Sequence, residues 1–336
     1  MNLGFWEKLR KRGKPIMALA PMANVTDAAF RRIIAKYGAP DVFWTEFVSV
    51  EGLLSRGREA LLLDFMFSKE EHPIVAQIFG GKPEQFFEVG KLCKELGFDG
   101  VDINMGCPDK GVEKSGGGAA LIKNPKLAQE IIKATMEGSG LPVSVKTRIG
   151  YNKDEIDTWI PAILETKPAA LTVHLRTRKE MSFVPARWDE MPRVKALRDK
   201  ISPETVLLGN GDVLTVADAR AKAKQYGIDG VMIGRGIFGN PWLFAEKTPT
   251  VEERLRVCLE HTKLFEELFG SSNTLAKAGV QKNGSPIKSG RLKPFDIMKK
   301  HYKAYINGFD GAKELRVKLM EAKDVSEVER ILKAFK

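Results

Sequence analysis

The sequence predicts an α/β protein, a (β/α)8 TIM barrel followed by a small C-terminal helical domain. Three observations predict it. Eight short apolar, β-branched runs alternate with stretches of helical periodicity, the alternation stops near Trp242, and further helical stretches follow it. Eight βα units are the number that closes a parallel barrel, whose strands read as near-continuous apolar runs because both faces are buried. The alternative, an open doubly wound sheet, usually carries a Gly-rich turn after its first strand. Here the first run leads into Pro21-Met22-Ala23-Asn24 instead.

Taken in order, the strands are expected at 16–20, 42–45, 74–79, 100–104, 143–147, 170–174, 206–210 and 231–233. Helical periodicity lies between them at 28–37, 84–96, 126–136 and 216–226. The barrel domain is assigned residues 1–245 and the helical domain residues 246–336. In the second, helices are expected at 251–268, 295–306, 312–321 and 326–335, and the polar, Gly- and Lys-bearing segment 271–293 reads as a loop.

Composition sets the outer bounds. With 336 residues, 43% hydrophobic and 29% charged, the chain has the make-up of an ordinary globular protein. No apolar run approaches the roughly 18 residues that cross a bilayer. The basic stretch from Met1 to Lys14 is not followed by the apolar core of a secretory signal. Three cysteines, Cys93, Cys107 and Cys258, make neither a disulfide framework nor a spaced metal site, so no metal and a cytoplasmic compartment are expected. Net charge is +11, and eleven Lys/Arg between Lys277 and Lys318 face only Asp296, Asp310 and Glu314. Such an excess suits a polyanion partner, and a solvated basic surface is the plain alternative.

Polar residues at the C-terminal ends of barrel strands line one face, where loops meet and active sites form. Those ends are rich here: Pro21-Met22-Ala23, Thr45-Glu46, Gln77, Asn104-Met105-Gly106-Cys107-Pro108, Lys146 with Arg148, His174 with Arg176 and Arg178, Asn210-Gly211-Asp212 and Gly234-Arg235-Gly236. The last two follow consecutive strands, where glycines let backbone N–H groups approach a phosphate and Arg235 adds a forked cation. Two tight turns needing positive φ would look the same. A lysine in the barrel mouth needs an anionic or electron-rich partner, and Gln77 offers a donor and an acceptor to a heterocycle edge. Together these suit a phosphorylated aromatic cofactor. Flavin mononucleotide fits well, and pyridoxal phosphate, with Lys146 as Schiff-base former, lacks an evident ring-nitrogen partner. His174, Arg176 and Arg178 suit anion or cofactor contact. Cys107 lies in the polar loop ahead of Ser115-Gly116-Gly117-Gly118, which reads as a mobile lid hinge. An unperturbed thiol is protonated at neutral pH and can donate to a carbanion-like carbon. Cys93 and Cys258 sit within helices as packing residues.

At these residues the sequence resembles the tRNA-dihydrouridine synthase family over nearly its whole length. The resemblance is carried by Ala20-Pro21-Met22-Ala23, Thr45-Glu46, Gln77-Ile78-Phe79-Gly80, Asn104-Met105-Gly106-Cys107-Pro108 and Val145-Lys146-Thr147-Arg148. It continues through His174-Leu175-Arg176-Thr177-Arg178, Gly209-Asn210-Gly211-Asp212, Met232-Ile233-Gly234-Arg235-Gly236 and Asn240-Pro241-Trp242. The resemblance implies FMN held by Pro21, Met22, Ala23, Gln77, Lys146, His174, Asn210, Gly211, Asp212, Gly234 and Arg235. It implies NADPH as reductant, Cys107 as proton donor to C5 of uracil, and substrate contacts at Asn104, Arg148, Arg176 and Arg178. It also implies tRNA as partner, gripped by the helical domain, with the target nucleotide flipped out. A monomer without a protein partner or membrane contact is expected. Two rival readings share the residues: an FMN barrel acting on a free pyrimidine, like dihydroorotate dehydrogenase, and an RNA-binding barrel without catalysis. The segment 271–293 is longer and more polar than a connector of this family requires.

Overall fold

The computed structural model describes residues 1–270 and 292–335. Its strands are β1 (Ile16–Leu19), β2 (Phe43–Ser49), β3 (Ile74–Phe79), β4 (Gly100–Met105), β5 (Val143–Arg148), β6 (Ala170–His174), β7 (Val206–Asn210) and β8 (Gly230–Ile233). Neighbours pair in parallel in the order β1-β8-β7-β6-β5-β4-β3-β2. The two ends of that order meet at a parallel bridge between Ala18 and Val42, where Leu19 N–H donates to Val42 O at 3.2 Å, so the sheet curls into a barrel. Every residue of β1, β4, β7 and β8 is buried, as expected for strands covered on both faces. The expected strands match those observed except that β2 runs four residues further, to Ser49. A register shift between Trp44 and Phe47 takes Thr45 and Glu46 out of the ladder, the kind of irregularity that re-aims side chains near a site.

Helices α2 (Ala28–Gly38), α3 (Pro83–Glu95), α4 (Pro125–Ser139), α5 (Ile156–Leu164), α6 (Met191–Ile201) and α7 (Val216–Tyr226) surround the strands. Asp27, Asn124 and Thr215 start α2, α4 and α7 by accepting the orphan N–H groups of Phe30, Leu127 and Asp218. Before β1 stands a further helix, α1 (Phe5–Lys11), which is not among the expected elements. Its Trp6 is 1% exposed and sits 5.9 Å from Trp44 among Ile16, Ala170 and Val206, plugging the end of the barrel opposite the strand C-termini.

Beyond the barrel lie α8 (Val251–Phe269), α9 (Ile297–Tyr305), α10 (Ala312–Glu321) and α11 (Val325–Ala334). A capping box of Thr250 and Glu253 opens α8. These helices share one continuous apolar core with the barrel's outer layer, through Phe30, stacked 5.1 Å from His261 and tilted against His301 at 4.6 Å. Most of the polar segment 271–293 lies outside the described residues; only Leu292 and Lys293 belong to them. Lys293, a member of the basic stretch, turns inward instead of facing solvent. It is buried, with Nζ 2.6 Å from both Glu46 and Asp64.

Candidate active site

The strand C-termini surround a cavity of about 280 Å³ lined by Pro21, Met22, Lys146, Arg148, His174 and Arg176, and by Asn210-Gly211-Asp212 and Gly234-Arg235. Its lining carries four cations, Lys146, Arg148, Arg176 and Arg235, against the single carboxylate of Asp212, so the ligand it suits is anionic. A larger cleft of about 650 Å³ between α10 and α11 holds Glu314, Lys318, Glu327 and Arg330 in balance and none of the strand-end groups. The smaller cavity is therefore the candidate site.

The loops after β7 and β8 form one wall. Gly211 has φ +128°, a conformation closed to L side chains, and a Cβ there would stand 2.7 Å from Ala186 Cβ and 3.2 Å from the His174 ring. Asp212 is the hub of this wall. It accepts from Arg176, from Arg235 Nη2 at 2.6 Å and from Ala186 N–H at 2.8 Å. Burial opposes ionisation of this carboxyl, but the hydrogen bonds from Arg176 and Ala186 and the arginine charges outweigh it and hold its pKa below the usual range. Asn210 Nδ2 donates to Met232 O at 2.8 Å, joining β7 to β8 under the loops. Arg235 is 59% exposed and keeps most of its fork free for an anion.

Lys146 is partly buried, and among the described residues its ammonium has no hydrogen-bond acceptor. Burial, reinforced by Arg148, lowers its pKa to about 8. Buried Asp102 attracts it from a distance without outweighing burial, so a cation so placed, facing the cavity, suits an anionic or electron-rich ligand. His174 is held neutral by burial and by the surrounding Arg148, Lys146, Arg176 and Arg235 charges. Arg176 Nη1 donates to its Nε2 at 3.0 Å, which puts the ring proton on Nδ1. The site thus fits a phosphorylated cofactor: cations and glycine-lined backbone at the β7 and β8 loops, Met22 of the β1 loop beside Gly234, and Lys146 rising from β5.

A second network positions Cys107. Asp102, fully buried in mid-β4, accepts from Ser144 Oγ at 2.5 Å and from Gln77 Nε2 at 2.7 Å. Gln77 Oε1 accepts from Asn104 Nδ2 at 3.1 Å, and Asn104 Oδ1 accepts the N–H groups of Gly106 and Cys107 at 3.2 and 2.9 Å. Arg148 Nε grips Gly106 O at 2.8 Å. The run Ser115–Gly118, read as a lid hinge, is a packed crossing. A Cβ on Gly117 would stand 2.8 Å from Gly80 N, and one on Gly118, at φ +58°, would stand 2.7 Å from Cys107 O. Burial raises the Cys107 pKa, so its sulfur stays protonated at neutral pH. Cys93 and Cys258 are buried, with thiols pushed further up by burial alone.

The strand-end residues do not all reach the cavity. Gln77 is fully buried with both amide ends engaged, Ala23 is exposed, and Asn104, Cys107 and Arg178 lie outside its lining. Arg178 forks onto Glu113 of the short helix Lys110–Lys114, tying the β6 loop to the β4 loop. Asp102 is absent from the residues the sequence singles out, and burial raises its pKa to about 6 against the hydrogen bonds of Ser144 and Gln77. An acid inside an apolar strand was the available signal. Ser182, Val213 and Leu214, which also line the cavity, carried none.

A parallel barrel with a cationic cradle after its last two strands and a positioned thiol defines an enzyme for a phosphorylated ligand. Comparison with known proteins narrows the class. The family profile described as dihydrouridine synthase matches residues 18–336, and the chain belongs to that family. It is 42% identical over 340 residues to a protein of Staphylococcus aureus (strain Mu50) named probable tRNA-dihydrouridine synthase, covering 100% of this chain and 96% of that one. It is 41% identical to probable tRNA-dihydrouridine synthase 2 of Bacillus subtilis (strain 168), covering 100% and 97%. Among solved structures, 6-hydroxypseudooxynicotine amine oxidase of Pseudomonas geniculata N1 is similar in fold alone, with TM-score 0.50 and 13% identity over 67% of this chain and 46% of that one.

Proposed function

We propose that this chain is a tRNA-dihydrouridine synthase that saturates the C5=C6 bond of uridine in tRNA, with FMN as its flavin and NADPH as reductant. Family membership gives the reaction, and the observation that supports the site is Lys146, without a hydrogen-bond acceptor among the described residues, facing a cavity with three arginines on its walls. The flavin, when bound and reduced, supplies the hydride that adds to C6 of the uracil. Everything else is asked of the protein's own residues. The backbone N–H groups of Gly211, Asp212 and Gly234 and the guanidinium of Arg235 would hold the phosphate, with Arg176 and His174 beside it and the Asp212 carboxylate orienting the two arginines. Pro21, Met22 and Asn210 would pack the cofactor, Gln77 would act through Asn104, and Lys146 would offer its proton to the electron-rich edge of the ring.

Cys107 would give its Sγ proton to C5 of the uracil as the hydride arrives at C6, and water would return a proton to the resulting thiolate. Its raised pKa suits that role because a thiolate has no proton to give. Asn104 and Arg148 fix the Gly106–Cys107 backbone and so the height of the sulfur. Residues 246–336 would grip the tRNA, with the barrel at 1–245 as catalytic part; the reading also carries a cytoplasmic monomer.

The test compares substrates. With FMN and NADPH, the protein should reduce uridine in unmodified tRNA and leave free uracil and orotate untouched. Reduction of the free pyrimidine alone would replace this reading by the dihydroorotate dehydrogenase-like one.

A further inference from the structure

The loop after β6 carries an apolar group that the chemistry above does not use. Of the eight large hydrophobic residues exposed among the described residues, Met181, Phe183, Val184 and Leu214 belong to the β6 and β7 loops, and Phe183, at 83%, is the most exposed of all. Single exposed apolar residues are ordinary on a protein surface, but a cluster bordering a cavity marks a contact site. Ser182, its immediate neighbour, and Leu214 both line the cavity, so this cluster stands at the mouth of the site.

The loop is held firmly. Arg148 Nη1 donates to Thr177 O and Met181 O at 3.1 and 2.9 Å, and Arg176 Nε donates to Val184 O at 2.6 Å. Glu180 accepts from Thr177 N–H at 2.7 Å, Phe183 N–H donates to Glu180 O at 3.0 Å, and Asp212 accepts from Ala186 N–H at 2.8 Å. Two arginines that border the cavity therefore display Phe183 in solvent instead of letting it fold inward. Lys179, four residues earlier on the same loop, is an exposed cation. An aromatic face with a cation near it is the pairing with which proteins hold unstacked nucleic-acid bases, the ring taking the base and the cation a phosphate.

We infer that Phe183 is a base-stacking residue, and that the nucleobase next to the extruded uridine of tRNA packs on its ring with Met181, Val184 and Leu214 as the apolar surround. The inference rests on the tRNA reading above. It gives the flipped strand a fixed support beside the cavity, so that the site orders the neighbouring nucleotide as well as the target.

The test uses flavin-loaded wild type, Phe183→Ala and Phe183→Trp. The alanine protein should keep its flavin content and its rate of flavin reduction by NADPH. Its kcat/KM for dihydrouridine formation in tRNA should fall about tenfold or more, and tryptophan should restore it. The slope of log Kd for tRNA against log salt should not change, because the phenyl ring carries no charge. Wild-type kcat/KM in Phe183→Ala, or a loss that tryptophan fails to restore, overturns the inference and leaves the tRNA reading standing. Wild-type protein that leaves tRNA uridine unreduced overturns both.

Discussion

On the proposed mechanism Cys107 and Arg235 divide the labour of the site at the scale of single residues, and each has its own readout. Replacing Cys107 with alanine removes the proposed proton donor while leaving the cavity lining intact. Flavin content should be retained and dihydrouridine formation should fall by about 10²–10⁴-fold; mass analysis of digested tRNA checks it. Arg235→Ala deletes the charge-assisted donor proposed for the phosphate and frees Asp212 of one partner. FMN should bind about tenfold more weakly or worse, read by equilibrium dialysis, and an unchanged flavin-to-protein ratio would contradict the cradle. These residues were legible because each falls where an apolar run ends, which in a barrel is a single place in space. Gln77 shows where that logic stops. Its position on β3 was readable, but the partners that occupy its amide, Asp102 and Asn104, come from β4 and are fixed only by strand register. Arg178 likewise meets Glu113, sixty-five residues away in sequence, and no local pattern announces that fork.

Between elements, the α2–α8–α9 junction is held by a buried aromatic cluster with an unusual weakness. His261 and His301 lie 4.5 Å apart, fully buried, and among the described residues His261 Nε2 and both His301 nitrogens have no hydrogen-bond partner. Burial, with Lys300 adding to it, lowers the His301 pKa from 6.5 to about 3, and burial together with His301 lowers that of His261. The unfolded chain takes up these protons near pH 6.5 while the folded chain refuses them until far lower. Stability from this source is complete above the unfolded pKa and is lost as pH falls through the window from 6.5 towards about 3. By about pH 5 the His301 contribution alone reaches about 2 kcal/mol. The thermal midpoint should therefore drop between about pH 7.5 and pH 5, and drop less in His301→Phe; equal drops in the two proteins would contradict the assignment. Most of the helices were legible to within a few residues, because a polar and an apolar face recur at helical spacing. The exceptions have physical causes. α5 contains Pro161 and buries Ile156, Trp159, Ile160, Ile163 and Leu164, leaving little polar stripe to read, and α6 buries only Met191, Val194 and Arg198.

At the scale of the whole molecule, the net charge of +11 has to be divided into surface and interior. Lys300 and Lys303 on α9 are exposed, whereas Lys299 pairs with Asp296 at 2.6 Å and Lys293 is buried against Glu46 and Asp64. Reversing Lys300 and Lys303 to glutamate should weaken tRNA binding and make its salt dependence shallower, by about one unit of log–log slope for each phosphate no longer neutralised. Filter binding across a salt series checks this, with flavin reduction as an unaffected control. Lys293→Met should act differently. It strands half-buried Asp64 and buried Glu46, which also accepts the Asn24 N–H of the β1 loop. The cost is about 3–5 kcal/mol of stability in a denaturant titration, with the salt slope of tRNA binding unchanged. Composition could count these charges but could not say which way each lysine turns, since that depends on carboxylates brought by β2 and the segment after it.

The central claim, reduction of a uridine in tRNA with Cys107 as acid, is tested most directly by one experiment. Wild type and Cys107→Ala, both loaded with FMN and supplied with NADPH, are incubated with unmodified tRNA transcripts, and the digested RNA is weighed by mass spectrometry. The predicted result is a uridine heavier by two hydrogen atoms with the wild type, and almost none with the variant despite a flavin that still reduces. A wild type that oxidises NADPH yet leaves every uridine at its original mass, or a variant that matches the wild type turnover for turnover, would contradict the account.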